Sequence, residues 1–342
     1  MNVYNKIISF LEFTDSNMNE IFEFYNEDHR HYHNSFHIID ICEMIFNDKS
    51  LTQYETGIYT ALFHDIIYNP KRNDNELKSS EYFRKFNSEH NIVSQNDEKI
   101  ICHIINETDY KNLEINDMDG VPKSLVKRFM EYDLASFKKP FSEILSDEKK
   151  IRKEYQWVDW YDYQQGRLSF LDRFKDHCVI KSFGQKAIDN INYQIEFLKF
   201  DIPKIALYPG TFNPFHLGHL KILEYAETIF DKVIIAFGKN SDKEENLITI
   251  PETLNFHQTL SYSSSLVDLL NEFKYPLTVI RGIRNSTDMQ YEMNQFKWLK
   301  EMKYDIKVVN IFCDKDYEHI SSSALKTIKK YDEKIYKHYL VK

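Results

Sequence analysis

The 342-residue chain concentrates its reactive side chains in two places. In GTFNPFHLGH, residues 210–219, His216 and His219 stand three apart just after an apolar stretch. If a helix starts near His216, both imidazoles share one face of its first turn. A helix start offers unpaired N–H groups and a partial positive charge, and so draws phosphate. Imidazole hydrogen bonds to non-bridging oxygens there favour the charge that grows during phosphoryl or nucleotidyl transfer. The second place is His64-Asp65, set in the apolar run ALFHDII and expected on a helix, where unpaired charge is costly. With an earlier His from HRHYHNSFHIIDI and a distant Asp from EYDLASF, it makes a ligand set of imidazoles and carboxylates. Such a set suits Mn2+, Fe2+, Co2+, Ni2+ or Mg2+, and an ion so held acidifies water for attack on phosphorus.

The surrounding periodicity says what must hold these groups. Over residues 52–68, 97–107, 141–156 and 183–200, apolar residues recur at spacings of three and four. QKAIDNINYQIEFLKF places Ile188, Ile191, Ile195 and Leu198 on one stripe. An all-α domain over residues 1–201 follows. Beyond it, IALYPG, KVIIAF, LTVIRG and IKVVNIF are short apolar runs, separated by helical stretches such as HLKILEYAETIF and MQYEMNQFKWLKEM. That alternation predicts parallel strands covered on both faces, an α/β doubly wound, Rossmann-like domain over residues 202–342. Gly210, Gly238 and Gly282 follow or end strands, where open α/β sheets bind ligands.

Composition narrows the classes. A length of 342 residues makes two domains the default, and 42% apolar residues exclude a disordered chain. The net charge of −9 argues against a general nucleic-acid binder, while a local basic pocket still accommodates a small phosphorylated ligand. Four cysteines lie far apart without a CxxC pair, which excludes a zinc ribbon or a disulfide scaffold. Neither a signal peptide nor an apolar run of membrane-spanning length is present, so no membrane partner and a cytoplasmic location are expected.

From Ile205 onward the chain resembles the nucleotidyltransferase superfamily marked by (H/T)xGH, and within it the phosphopantetheine adenylyltransferases. YPGTFNPFHLGHL stands for that family's YPGTFDPxTxGHL, FDKVIIAFGKNSDK for its second strand and lysine loop, RGIRNSTDMQYEM for RGLRxxxDxxYE, and HISSSALKTI for its ISSS helix start. The resemblance implies transfer of AMP from ATP, with Mg2+, to 4′-phosphopantetheine, giving dephospho-CoA and pyrophosphate without a covalent enzyme intermediate. By it, Thr211 touches the phosphates of both substrates, His219 stabilises the reacting α-phosphate, and His216 takes the slot where the family often has Thr. Lys243 orients the attacking phosphate. Arg281 and Arg284 meet phosphate oxygens. Phe212, Gly282, Ile283 and Glu292 contact the nucleotide, and Ser321, Ser322 and Ser323 cap the β- and γ-phosphates. Leu266 falls where the family contacts the pantetheine arm. A homo-oligomer is also implied. Two departures stand out: Asn213 replaces the usual Asp, and LITIPETLNF replaces LFxxEER. The alternative acceptor is nicotinamide or nicotinate mononucleotide, whose adenylyltransferases carry both motif histidines.

The first domain resembles the HD superfamily of metal-dependent phosphohydrolases. RHYHNSFH, FHDIIYNPKRNDNELKSS, EYDL and IRKEYQWV stand for RHYHNxxH, FHDxxYxxxxxxNExxSA, DxDL and IRxEYxxV of one branch. The resemblance implies metal ligands His37, His64, Asp65 and Asp133, with His33 as competitor for the first. Asp65 doubles as a catalytic residue. Arg30, Glu76, Arg152 and Arg167 are assigned to brace ligands or face a phosphate ester or nucleotide. The alternative is a nucleotide-binding regulatory module that hydrolyses nothing.

Overall fold

A computed structural model describes residues 2–239 and 249–341. The chain packs as two units, one of residues 1–154 and 164–200, the other of residues 155–163 and 201–342. Among the described residues no helix is long and apolar enough to cross a membrane.

The first unit is helical: α1 (Val3–Leu11), α2 (Asp15–Tyr25), α3 (Ser35–Asn47), α4 (Tyr54–Phe63), α5 (Asn75–His90), α6 (Gln95–Glu107), α7 (Lys123–Asp133), α8 (Phe141–Glu154), α9 (Trp160–Phe174, whose first four residues belong to the second unit), α10 (Cys178–Ser182) and α11 (Gln185–Phe200). Side-chain caps start several of them. Thr14 and Asn17 form a capping box on α2, and Ser94 caps α6. Helix α4 is the centre. Every residue from Thr56 to Phe63 is buried, as expected of a helix apolar on all sides. The sequence places His64-Asp65 on this helix, but α4 ends at Phe63, with His64 as its C-cap and Asp65 just beyond. The pair therefore sits in the turn that follows α4, with His64 and Ile66 still buried.

The second unit runs β1 (Ile205–Gly210), α12 (Leu217–Ile229), β2 (Lys232–Gly238), β3 (Gln258–Tyr262), α13 (Leu266–Glu272), β4 (Leu277–Ile283), α14 (Ser286–Met302), β5 (Lys307–Phe312), α15 (Ser322–Ile328) and α16 (Glu333–His338). Five parallel strands follow the order β3-β2-β1-β4-β5. The doubly wound expectation holds, with one strand more than the four apolar runs. Strand β3, QTLSY, lies at the sheet edge and is only half-buried, so its sequence carries polar residues and lacks the apolar signature. Residues Ile205 to Pro209 of β1 and Lys232 to Phe237 of β2 are buried, as central parallel strands require.

One sheet face packs Ala206, Tyr208, Val233 and Ile235 against Ile222, Leu223 and Ala226 of α12. The other packs Leu207, Ile234 and Val279 against Leu269 and Leu270 of α13, Leu299 of α14, and Trp160 and Tyr163 of the segment 155–163. Lys232, buried in β2, donates from Nζ to the Val158 carbonyl at 2.8 Å and to that of Gln156. Because β1 pairs with β2 on one side and β4 on the other, the chain reverses direction across the sheet there. The crevice at the carboxyl ends of β1 and β4 is the ligand position such a sheet provides.

Candidate functional sites

At that crevice lies a cavity of about 570 Å³. Its wall includes Thr211, Phe212, His216, His219, Arg281, Gly282, Arg284, Glu292, Ser321, Ser322 and Ser323, brought together from well-separated stretches of sequence. Ile283 is buried beside it, outside the wall. Leu266 is placed elsewhere: it opens α13 and packs with Leu269 and Leu270 on the far sheet face, the i, i+3, i+4 stripe of a packing helix. Lys243 lies outside the described residues.

The turn after β1 is built around rings. Phe212 adopts a positive φ of 44° and folds its ring back over the strand end. A Cβ on Gly210 would stand 2.6 Å from that ring, so a larger residue there would have to displace the buried Phe212 side chain. Phe212 in turn meets the His219 ring edge-on at 4.9 Å. His216 is the residue before α12, and its backbone N–H donates to Nδ1 of His219 at 3.3 Å. The two imidazoles stack at 3.6 Å. Burial, with Arg284 nearby, lowers His216 to about 4. Burial also drives His219 well below its ordinary value, aided by His216 and Arg284. Both rings are neutral at pH 7. His216 Nδ1 is buried without a hydrogen-bond partner among the described residues.

The guanidiniums are held from behind. Arg284 makes a forked pair with Asp288, at 2.8 and 3.1 Å, and donates to the Ile320 carbonyl at 3.1 Å. Arg281 Nε lies 3.2 Å from Glu292, close but without aligned hydrogen-bond geometry. Burial raises the Glu292 carboxyl against the lowering effect of Arg281. The Ser321 side chain caps α15 by accepting from the Ala324 N–H, and Ser322 Oγ donates to the Pro214 carbonyl at 3.0 Å, tying α15 to the turn. Asp288, Tyr291 and Cys313 also line the cavity, although the motif residues do not include them among the expected contacts. Asp288 carries a local signal, since it stands one helical turn after Arg284. Neutral imidazoles, two guanidiniums and hydroxyls around one cavity make a donor-rich surface for an anion.

In the first unit, ligand atoms of His37, His64 and Asp65 all lie within 4.8 Å of one another, an arrangement able to hold a metal ion. His64 Nε2 is 3.1 Å from Asp65 Oδ2 and 3.7 Å from Asp133 Oδ1, and His37 Nε2 is 3.1 Å from Asp133 Oδ1. Four residues from α3, the end of α4 and the end of α7 thus converge. His64 Nδ1 lies 3.0 Å from the Ala61 carbonyl, which only an N–H satisfies, so Nε2 is left facing the carboxylates. That Nε2 is buried without a hydrogen-bond partner among the described residues, an orphaned atom that a cation would satisfy. Burial opposes charge on His64, yet Asp65 and Asp133 outweigh it and raise the imidazole well above its ordinary value. Conversely, burial favours the neutral acids, but His64 holds Asp65 low, and His37 with His64 holds Asp133 low.

His33, the competitor for the first ligand, stands beside the cluster, its Nδ1 2.7 Å from Glu154 and its ring 6.1 Å from that of His37. Arg30 is a brace, donating to the carbonyls of His33, Asp65 and Ile66. Arg167 pairs with buried Glu148 at 2.9 Å. Tyr110 escapes sequence reasoning. Its hydroxyl donates to Asp133 Oδ2 and turns Oδ1 to the histidines, and no spacing links residue 110 to residue 133 in advance. A cavity of about 970 Å³ has His37 and Asp133 in its wall, with Phe36, Lys138, Lys139 and Lys150 around it.

Comparison with known proteins concerns the second unit. Residues 207–328 match the cytidylyltransferase-like family. The phosphopantetheine adenylyltransferase of Mycoplasma capricolum subsp. capricolum is 35% identical over 137 residues, 37% of this chain and 98% of that protein. That of Prochlorococcus marinus strain MIT 9301 is 34% identical over 138 residues, 38% of this chain and 87% of the relative. The enzyme of Lawsonia intracellularis is 32% identical over 134 residues, covering 36% and 77%.

Proposed function

Through its C-terminal region this chain belongs to the phosphopantetheine adenylyltransferase family, and on that premise we propose that it transfers AMP from ATP to 4′-phosphopantetheine, releasing pyrophosphate. One observation carries the reading: the stacked His216–His219 pair shares a single cavity at the β1/β4 crevice with Arg281, Arg284 and Ser321–Ser323. Neutral imidazoles donate hydrogen bonds without carrying charge of their own, and they gain most as negative charge builds on the reacting phosphate. The Arg284 guanidinium, fixed by Asp288 and Ile320, is set before substrate arrives, so little reorganisation is left to the reaction. Mg2+ bound with ATP would supply neutralisation of phosphate charge. Attack by the acceptor phosphate is in line, and the enzyme's part is positioning and electrostatics.

Exchange of labelled pyrophosphate into ATP, with each acceptor supplied separately, tests this. Formation of dephospho-CoA with 4′-phosphopantetheine and no adenylylation of nicotinamide mononucleotide is the expected result. The reverse pattern would change the acceptor, and silence with both would overturn the reading.

For the first unit we propose a metal-dependent phosphohydrolase of the HD type. The convergence of His37, His64, Asp65 and Asp133 supports it. Two imidazoles and two carboxylates with no thiolate suit Mn2+, Fe2+, Co2+ or Ni2+. An ion in such a set polarises a phosphoryl group and acidifies water. Both carboxylates are held ionised by the histidines that face them. Mn2+-dependent hydrolysis of a phosphate ester, lost in His64→Ala and Asp65→Ala, is expected. Wild-type protein that hydrolyses nothing, yet shifts its transferase kinetics in those variants, would favour a regulatory module instead.

A further inference from the structure

Two sequence blocks of the first unit lie outside the metal cluster: RHYH before the ligand His37, and IRKEY at the end of α8. The fold brings them together. Glu154 is wholly buried, and its carboxylate accepts from the backbone N–H of Tyr32 at 2.6 Å, the N–H of His33 at 2.9 Å and the Tyr68 hydroxyl at 2.8 Å. Its Oε2 also lies 2.7 Å from His33 Nδ1. A carboxylate taken this far from water is costly unless its partners are complete, and here they are.

The result is an imidazole with no freedom. Its ring stacks on Tyr68 at 4.4 Å and meets Tyr32 edge-on at 4.9 Å. Nδ1 is committed to Glu154, so Nε2 is the nitrogen left, without a protein partner among the described residues. The side chain keeps 24% of its surface exposed. The ring centre is 6.1 Å from that of His37, so a ligand group held at the cluster would lie within reach of His33. His33 thus spends one nitrogen inside the fold and leaves the other for a ligand.

We propose that His33 is a substrate-contacting residue that meets the phosphate group of the ester bound at the metal cluster, with Glu154 as its positioning residue. The proposal rests on the metal-site reading given above. With Nδ1–H given to the Glu154 carboxylate, Nε2 of the neutral ring accepts from a protonated phosphate oxygen, and Nε2–H of the imidazolium donates to an ionised one. Glu154 and Tyr68 fix the ring so that this contact costs little ordering.

The test uses the full chain loaded with Mn2+, inorganic phosphate as the probe, and calorimetry as the readout. His33→Gln is expected to weaken phosphate binding about tenfold, the loss of one charge-assisted contact, with Mn2+ stoichiometry unchanged. Glu154→Gln weakens it similarly, and the double variant is no worse than either single one, a coupling that a merely structural role would not produce. Tyr68→Phe gives a smaller loss in the same direction, and it serves if Glu154→Gln does not fold. Wild-type protein that binds no Mn2+ overturns the metal reading beneath the proposal. Mn2+ binding with phosphate affinity unchanged in His33→Gln, or with no phosphate bound at all, overturns the proposal alone. Loss of Mn2+ from His33→Gln makes it a ligand and overturns the proposal too.

Discussion

Each unit of this protein builds its site around a pair of histidines, and the two pairs are driven in opposite directions. His64 is almost fully buried, and so is His216, yet His64 is raised and His216 lowered. Burial alone lowers both. The difference is the neighbour. Asp65 and Asp133 face His64, whereas Arg284 stands near His216 and His219. Excess negative charge around an orphaned imidazole nitrogen makes a place for a cation. Neutral imidazoles among guanidiniums make a place for an anion. On the proposed reading, one residue type would serve metal binding in one unit and phosphate binding in the other, with its surroundings deciding which.

The comparison breaks most sharply at the transfer site. His219→Ala should lower kcat of adenylyl transfer by roughly 10²–10³, the usual effect of removing one donor aimed at developing charge. An unchanged kcat would leave the stacked pair without a catalytic part. Acid exposes the sign difference next. His216 falls from an ordinary value of about 6.5 to about 4, so its stabilisation is complete above pH 6.5 and is lost as pH falls towards 4. The loss is about 3 kcal/mol, and urea midpoints measured at pH 7 and pH 4.5 should converge for His216→Asn relative to the wild type. His64 runs the other way in metal-free protein: its contribution is present below about pH 6.5 and is lost as pH rises through its elevated value.

A smaller effect sharpens the metal side. Tyr110→Phe removes the donor that holds Asp133 Oδ2, and Mn2+ affinity should drop by roughly 10–100-fold while the fold persists. The smallest concerns the turn. Ser322→Ala deletes the bond from α15 to the Pro214 carbonyl, and should cost about 1 kcal/mol in a urea titration.

Much of this was legible in the sequence because the signals were local. Apolar strands ending in glycine marked the crevice, and His216 and His219 needed only a helix start between them. His64-Asp65 stood out because ALFHDII is otherwise apolar. What escaped was held by distant partners or by an edge. Strand β3 is half polar because the sheet ends there. Leu266, set against the pantetheine arm by the resemblance alone, is half-buried and also packs along the α13 stripe. Tyr110 and Glu154 act on residues 23 and 121 positions away, and no periodicity reports such a pairing.

The residues 155–163, which belong with the sheet although α8 before them and the rest of α9 after them belong to the other unit, bear on how the polypeptide can be divided. Severing it after residue 200 would strip Trp160 and Tyr163 from the sheet face and take from the buried Lys232 ammonium the carbonyls of Gln156 and Val158. A clean excision of the C-terminal piece therefore exposes apolar surface that the intact polypeptide keeps dry, and a shortened gene product would need a replacement patch to stay in solution.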